Sequence, residues 1–72
     1  MLRLFKRPYP CLRRVIVNTK TDKAFRGALW ERSGPYLVLR EAELLLGRGD
    51  VRALDGEVLI ERANVDFIQV VG

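Results

Sequence analysis

Asp55-Gly-Glu-Val-Leu-Ile-Glu-Arg-Ala-Asn-Val-Asp-Phe-Ile-Gln-Val-Val71 is the stretch whose reading decides the fold. Two apolar runs, Val58-Leu59-Ile60 and Phe67-Ile68-Gln69-Val70-Val71, flank the polar corner Glu61-Arg62-Ala63-Asn64. The gap between them is too short for a helix and holds no hairpin glycine. The pattern therefore predicts two strands, Glu57–Arg62 and Val65–Val71, joined by one abrupt turn.

Upstream of this stretch the period is again two. Arg13–Asn18 (RRVIVN) is β-branched and reads as a strand, and Thr19–Lys23 reads as a polar turn. Ala24–Arg32 alternates, with Phe25, Gly27 and Leu29 on one face and Arg26, Ala28, Trp30 and Arg32 on the other. A glycine inside such a run signals a strong bend or a close backbone approach. Ser33-Gly34-Pro35 is a tight turn. Tyr36–Leu46 reads as one long strand that bends, although Glu41–Leu46 alone favours helix by propensity. Gly47-Arg48-Gly49-Asp50 reads as a loop, which also accounts for its Arg-Gly-Asp letters. Val51–Leu54 either extends the preceding strand or opens a hairpin through Asp55-Gly56, a strong turn signal. The count is five strands in one all-β, strongly bent antiparallel sheet that closes into a small barrel over residues 13–72, preceded by a basic arm, residues 1–12. Pro8 and Pro10 stop any helix in that arm.

A 72-residue domain buries only about 60% of its unfolded surface and is marginal alone. Such chains use disulfides, a metal or a partner. The single cysteine, Cys11, cannot form an intrachain disulfide, and without histidine there is no Cys/His zinc cluster. Oligomerisation remains. Residues 1–14 carry five basic side chains and no acid, while the remainder holds eight basic against nine acidic residues. The net charge of +4 thus belongs to residues 1–14, the arm and the two arginines that follow it, which suits nucleic acid or an acidic protein surface. No secretory signal and no run of roughly 20 apolar residues is present, so the expected setting is cytoplasmic, or within a virion, with no membrane partner.

No catalytic constellation is visible. The usual neutral-pH base, histidine, is missing. Ser33 has no base in its sequence context, and Cys11 reads as a small packed apolar residue. Gly47-x-Gly49 is too weak a signal for a phosphate loop. The expectation is a non-enzyme with no cofactor and no metal.

The arrangement resembles the Sm/LSm family. Phe25-Arg26-Gly27-Ala28-Leu29 matches the aromatic-x-Gly-x-Leu opening of the first Sm motif, and Leu37-Val38-Leu39-Arg40-Glu41-Ala42-Glu43 matches its close. Leu59-Ile60-Glu61-Arg62-Ala63-Asn64-Val65-Asp66-Phe67-Ile68 falls on the second motif without a gap. The resemblance covers about residues 13–71 and implies a ring, in which the penultimate strand of one subunit pairs with the last strand of the next. It points to Val58, Leu59, Ile60, Phe67, Ile68 and Val70 as the seam, and Trp30 is a further interface candidate because tryptophan is enriched at interface hot spots.

The departures concern the ligand. In RNA-binding Sm proteins an Asp and an Asn in the turn before the third strand, and the Arg of an Arg-Gly pair, hold a base. Here the turn is Ser33-Gly34-Pro35-Tyr36, and Glu61-Arg62 replaces Arg-Gly. A carboxylate repels phosphate and cannot stack on a base as guanidinium does. Asn64 is expected to close the corner through nearby backbone, and Tyr36 to pack on the hairpin or stack on a base. The function expected is an oligomer-forming structural or assembly module, contacting itself and other proteins of a larger particle; small Sm-like chains encoded by tailed phages fit that role. One alternative is a nucleic-acid-binding ring using Arg3, Lys6, Arg7, Arg13 and Arg14, with Tyr36, Arg62 and Asn64 as further contact candidates. Another is an SH3-like barrel that binds a peptide.

Overall fold

The computed structural model describes residues 13–72. The arm, with Arg3, Lys6, Arg7 and Cys11, lies outside the described residues. Six strands follow in order: β1 Arg13–Thr19, β2 Ala24–Ser33, β3 Tyr36–Gly47, β4 Asp50–Ala53, β5 Val58–Glu61 and β6 Val65–Val70, with one 3-10 turn, Arg62–Asn64, between the last two. All pairings are antiparallel. β3 pairs with β2, β2 with β1, and β1 with β6, while the other side of β3 takes β4 along its C-terminal half and β5 along its N-terminal half.

The two bent strands of the sequence reading are present, and their bends have a physical cause. Opposite Gly27 on β2, β3 carries one extra residue between Arg40 and Glu43, so the register slips there. Glu41 takes a positive φ of 52° at this bulge. Bulges sharpen the local twist, and the strands can only close at this point because Gly27 lacks a Cβ. A Cβ there would sit 2.9 Å from the Arg40 carbonyl oxygen and 3.1 Å from the Ala42 Cα. A second slip, with Trp30 as the extra residue on β2, lies between Leu29 and Glu31. Beyond it, Glu31 is opposite Val38 and Arg32 opposite Leu37. Arg32 therefore does not share the face of Arg26 and Ala28 as simple alternation implies.

The helical propensity of Glu41–Leu46 is overridden, because that segment pairs on both sides, with β2 and with β4. The hairpin turn falls at Arg48-Gly49, where Gly47 pairs with Asp50 and both turn residues have positive φ, 58° and 81°. This is the backbone sign that two-residue hairpins favour. Asp55-Gly56 is not a hairpin. β4 and β5 run in the same direction along β3 and are one path interrupted at residues 54–57, where the Leu54 N–H donates to the Ala42 carbonyl at 2.9 Å. That interruption turns the fifth strand of the sequence count into a sixth.

The core is built from the inward rows. Val15, Val17, Leu29, Leu37, Leu39, Ala42 and Ile60 form one buried cluster, with Phe25, Leu54, Val58, Val65 and Ile68 packed against it. Burying a leucine or valine of this kind contributes roughly 1.5–3 kcal/mol. Val38 is buried as well, at 3% exposure, but lies outside that cluster, on the opposite face of β3.

Candidate functional site: the corner between the last two strands

The 3-10 turn Arg62–Asn64 brings two distant turns together. On one side the Arg62 N–H donates to the Pro35 carbonyl at 2.7 Å, and the Arg62 guanidinium reaches the Gly34 carbonyl at 3.3 Å. The corner therefore sits on the β2–β3 turn. Tyr36 and Glu61 stand directly opposite each other on β3 and β5, both exposed. On the other side, the Lys20 N–H donates to the Asn64 carbonyl at 2.7 Å.

Asn64 does not close the corner by bonding its side chain to backbone, as expected from the sequence. Its amide donates to the Thr21 hydroxyl at 3.2 Å. The Thr19 hydroxyl gives its proton to the Lys23 carbonyl at 3.0 Å, so in the 3.1 Å Thr19–Thr21 contact Thr21 is the donor. Thr19 also accepts from the Lys23 N–H at 3.1 Å and is buried. Asn64, Thr21, Thr19 and Lys23 thus form one directed chain of hydrogen bonds that fixes the corner to the β1–β2 turn. Sequence reasoning missed Thr19 and Thr21. Their spacing, two threonines flanking one residue at a strand end, is a turn signal that does not name its partner.

The expected interface residues divide into two groups. Leu59, Phe67 and Val70 are exposed, at 55%, 52% and 47%. Ile60 is core, and Val58 and Ile68 pack against the core, so these three side chains serve their own barrel. β5 pairs only with β3, and β6 only with β1, which leaves one edge of each without a partner among the described residues. Trp30 is exposed on the outer surface beneath the Arg40 guanidinium, 4.2 Å from the ring centroid. Arg40 also binds Glu57 at 2.8 Å.

Of the expected contact residues, Arg13 and Arg14 are exposed at the start of β1. Arg13 Nε donates to the Gly72 carbonyl at 2.8 Å, and Arg14 pairs loosely with Glu41 at 3.5 Å. Neither is brought near the corner, because β1 begins beside Leu29. Glu61 forms no ion pair among the described residues, whereas Glu41, Glu43 and Glu57 are each matched to an arginine. Among the described residues there is no group of His, Cys, Asp or Glu able to hold a metal ion, and no helix long and apolar enough to cross a membrane.

The heptameric archaeal Sm protein studied for its bearing on the eukaryotic snRNP core superposes with a TM-score of 0.73 at 27% identity, over 85% of this chain and 88% of that one. The chain has the Sm-like fold. The SmAP1 heptamer of P. aerophilum matches equally well, with a TM-score of 0.73 and 27% identity over 85% of this chain and 81% of its own. A chain of the NatC complex bound to CoA shares the fold at a TM-score of 0.71 and 24% identity, over 85% and 78% of the two chains. No protein-family model matches the sequence, and no curated protein matches it.

Proposed function

We propose that this Sm-like chain is a non-enzymatic assembly module whose copies join into a ring by pairing the free edge of β5 with the free edge of β6 in the next copy, and that the ring serves as a structural part of a larger particle. The observation that carries this reading is the pair of open edges at the two ends of one sheet path, flanked by Leu59, Phe67 and Val70. Exposed apolar edges of a small sheet invite pairing. A heterologous contact closes into a ring when its rotation allows. The heptameric state of the archaeal Sm proteins supports the same assembly for this chain. Multi-angle light scattering at micromolar concentration is the test. A mass several times that of the 8.3 kDa subunit is expected; a stable monomer would overturn the reading.

A second reading, nucleic-acid binding, draws support from the exposed Arg13 and Arg14 adjoining the basic residues of the arm. It requires affinity for an oligonucleotide that falls steeply as salt rises, because phosphate contacts release counterions.

A further inference from the structure

Beyond β1, the outer surface of the β2–β3–β5 half of the sheet is a face that meets the ring seam only along β5, where Leu59 lies opposite Val38. Its rows follow from the register. Glu31 is opposite Val38, and Ser33, Tyr36 and Glu61 form the next row on the same face. Trp30 bulges out beside them. Tyr36 and Trp30 are large exposed aromatics, and Val38 between them is buried. Glu31 and Glu61 are exposed carboxylates without an ion pair among the described residues. Arg40, the cation closest to Trp30, is held by Glu57 and covers one face of the ring. Arg32 belongs to the opposite row, with Leu37.

We propose that this face binds an extended, arginine-bearing segment of a partner polypeptide. The inference rests on the assembly reading above and names the chemistry of the partner. A carboxylate next to an aromatic ring is suited to guanidinium, which pairs with the one and stacks on the other. Glu31 and Glu61 stand two strands and two residues apart, about 12 Å by ordinary sheet spacing. Positions i and i+4 of an extended chain are about 13 Å apart. A segment of the form Arg-x-apolar-x-Arg therefore sets one guanidinium at each carboxylate and its central apolar residue between Trp30 and Tyr36, because positions i, i+2 and i+4 share one face. Nucleic acid is disfavoured, since Arg40 is already held by Glu57 and the two carboxylates on this face without an ion pair among the described residues are both negative.

The test uses the intact chain and a fluorescein-labelled peptide Arg-Leu-Phe-Lys-Arg, the letters of residues 3–7. Trp30 is the only tryptophan, so its emission reports occupancy of this face directly. Binding is expected to shift that emission, and E31Q/E61Q is expected to weaken it about tenfold, in keeping with two exposed charge pairs. Both glutamates are exposed, and the Glu61 side chain caps nothing, so the double variant keeps its circular dichroism and its oligomeric mass. Absence of peptide binding, equal binding by E31Q/E61Q, or preferential binding of oligo-uridine at this face would each overturn the proposal. Light scattering on the same samples separates that failure from failure of the ring: a monomer that binds the peptide overturns only the ring.

Discussion

Gly27→Ala tests the physical origin of the barrel. The new Cβ would lie 2.9 Å from the Arg40 carbonyl oxygen, 3.1 Å from the Ala42 Cα and 3.3 Å from the Ala42 Cβ. Ordinary contacts between carbon atoms lie at about 3.5–4.0 Å. The two nearest atoms are backbone, so no side-chain rotation relieves the clash. β3 must move away from β2 by several tenths of an ångström, where pairs on either side of the slip, Arg26–Glu43 and Leu29–Leu39, hold the strands together. Overpacking of this kind costs about 1–3 kcal/mol. The substitution also stiffens the unfolded chain, which offsets about 0.4–1 kcal/mol of that. The net expectation is about 1–2 kcal/mol, a fall in Tm of roughly 5–15 °C for a domain of this size. Thermal circular dichroism at one fixed protein concentration is the measurement, because assembly itself raises Tm. Adding Ala42→Gly removes only the 3.3 Å contact, so the double variant should be no more stable than Gly27→Ala. An unchanged Tm, or rescue by Ala42→Gly, would refute the argument that backbone approach at Gly27 sets the bend.

Three further outcomes are expected. Phe67→Asp should lower the oligomeric mass in light scattering while leaving the far-ultraviolet spectrum intact; half of a side chain of this kind is about 100 Å², or about 2.5 kcal/mol per seam, and an unchanged mass would remove Phe67 from the seam. Thr19→Val should cost about 1–3 kcal/mol in urea denaturation, because the Lys23 N–H and the Thr21 hydroxyl both lose their partner; a cost under a few tenths of a kcal/mol would show that the directed hydrogen-bond chain does not stabilise the corner. Glu61→Arg puts a guanidinium beside Tyr36 and should tighten oligo-uridine binding at low salt relative to the unaltered chain, with the gain lost as salt rises; equal affinities would place the corner off any nucleic-acid path.

Much of this architecture is legible in the letters. The corner at Glu61–Asn64, the alternation of Val15 and Val17 with their neighbours, and the apolar row Leu37, Leu39 and Ile60 define strands and core because side-chain direction repeats every two residues along a strand. That rule carries no information past a bulge. It placed Arg32 with Arg26, and the slip at Trp30 moved it to the other row. It counted Val58, Ile60 and Ile68 with the exposed seam, whereas the bent sheet turned them toward its own core.

The sequence by itself determined that this is a small, bent, all-β chain with a carboxylate at the corner that follows its penultimate strand. Those properties are local: period, turn residues and charge are carried by neighbouring positions. Only the tertiary structure decided that Asp55-Gly56 continues a strand path instead of reversing it, and that Asn64 answers to Thr21, 43 residues away. It also decided that Trp30, Tyr36, Glu31 and Glu61 share one face. Register between strands creates such neighbours, and register is fixed by which bulges the packed sheet admits.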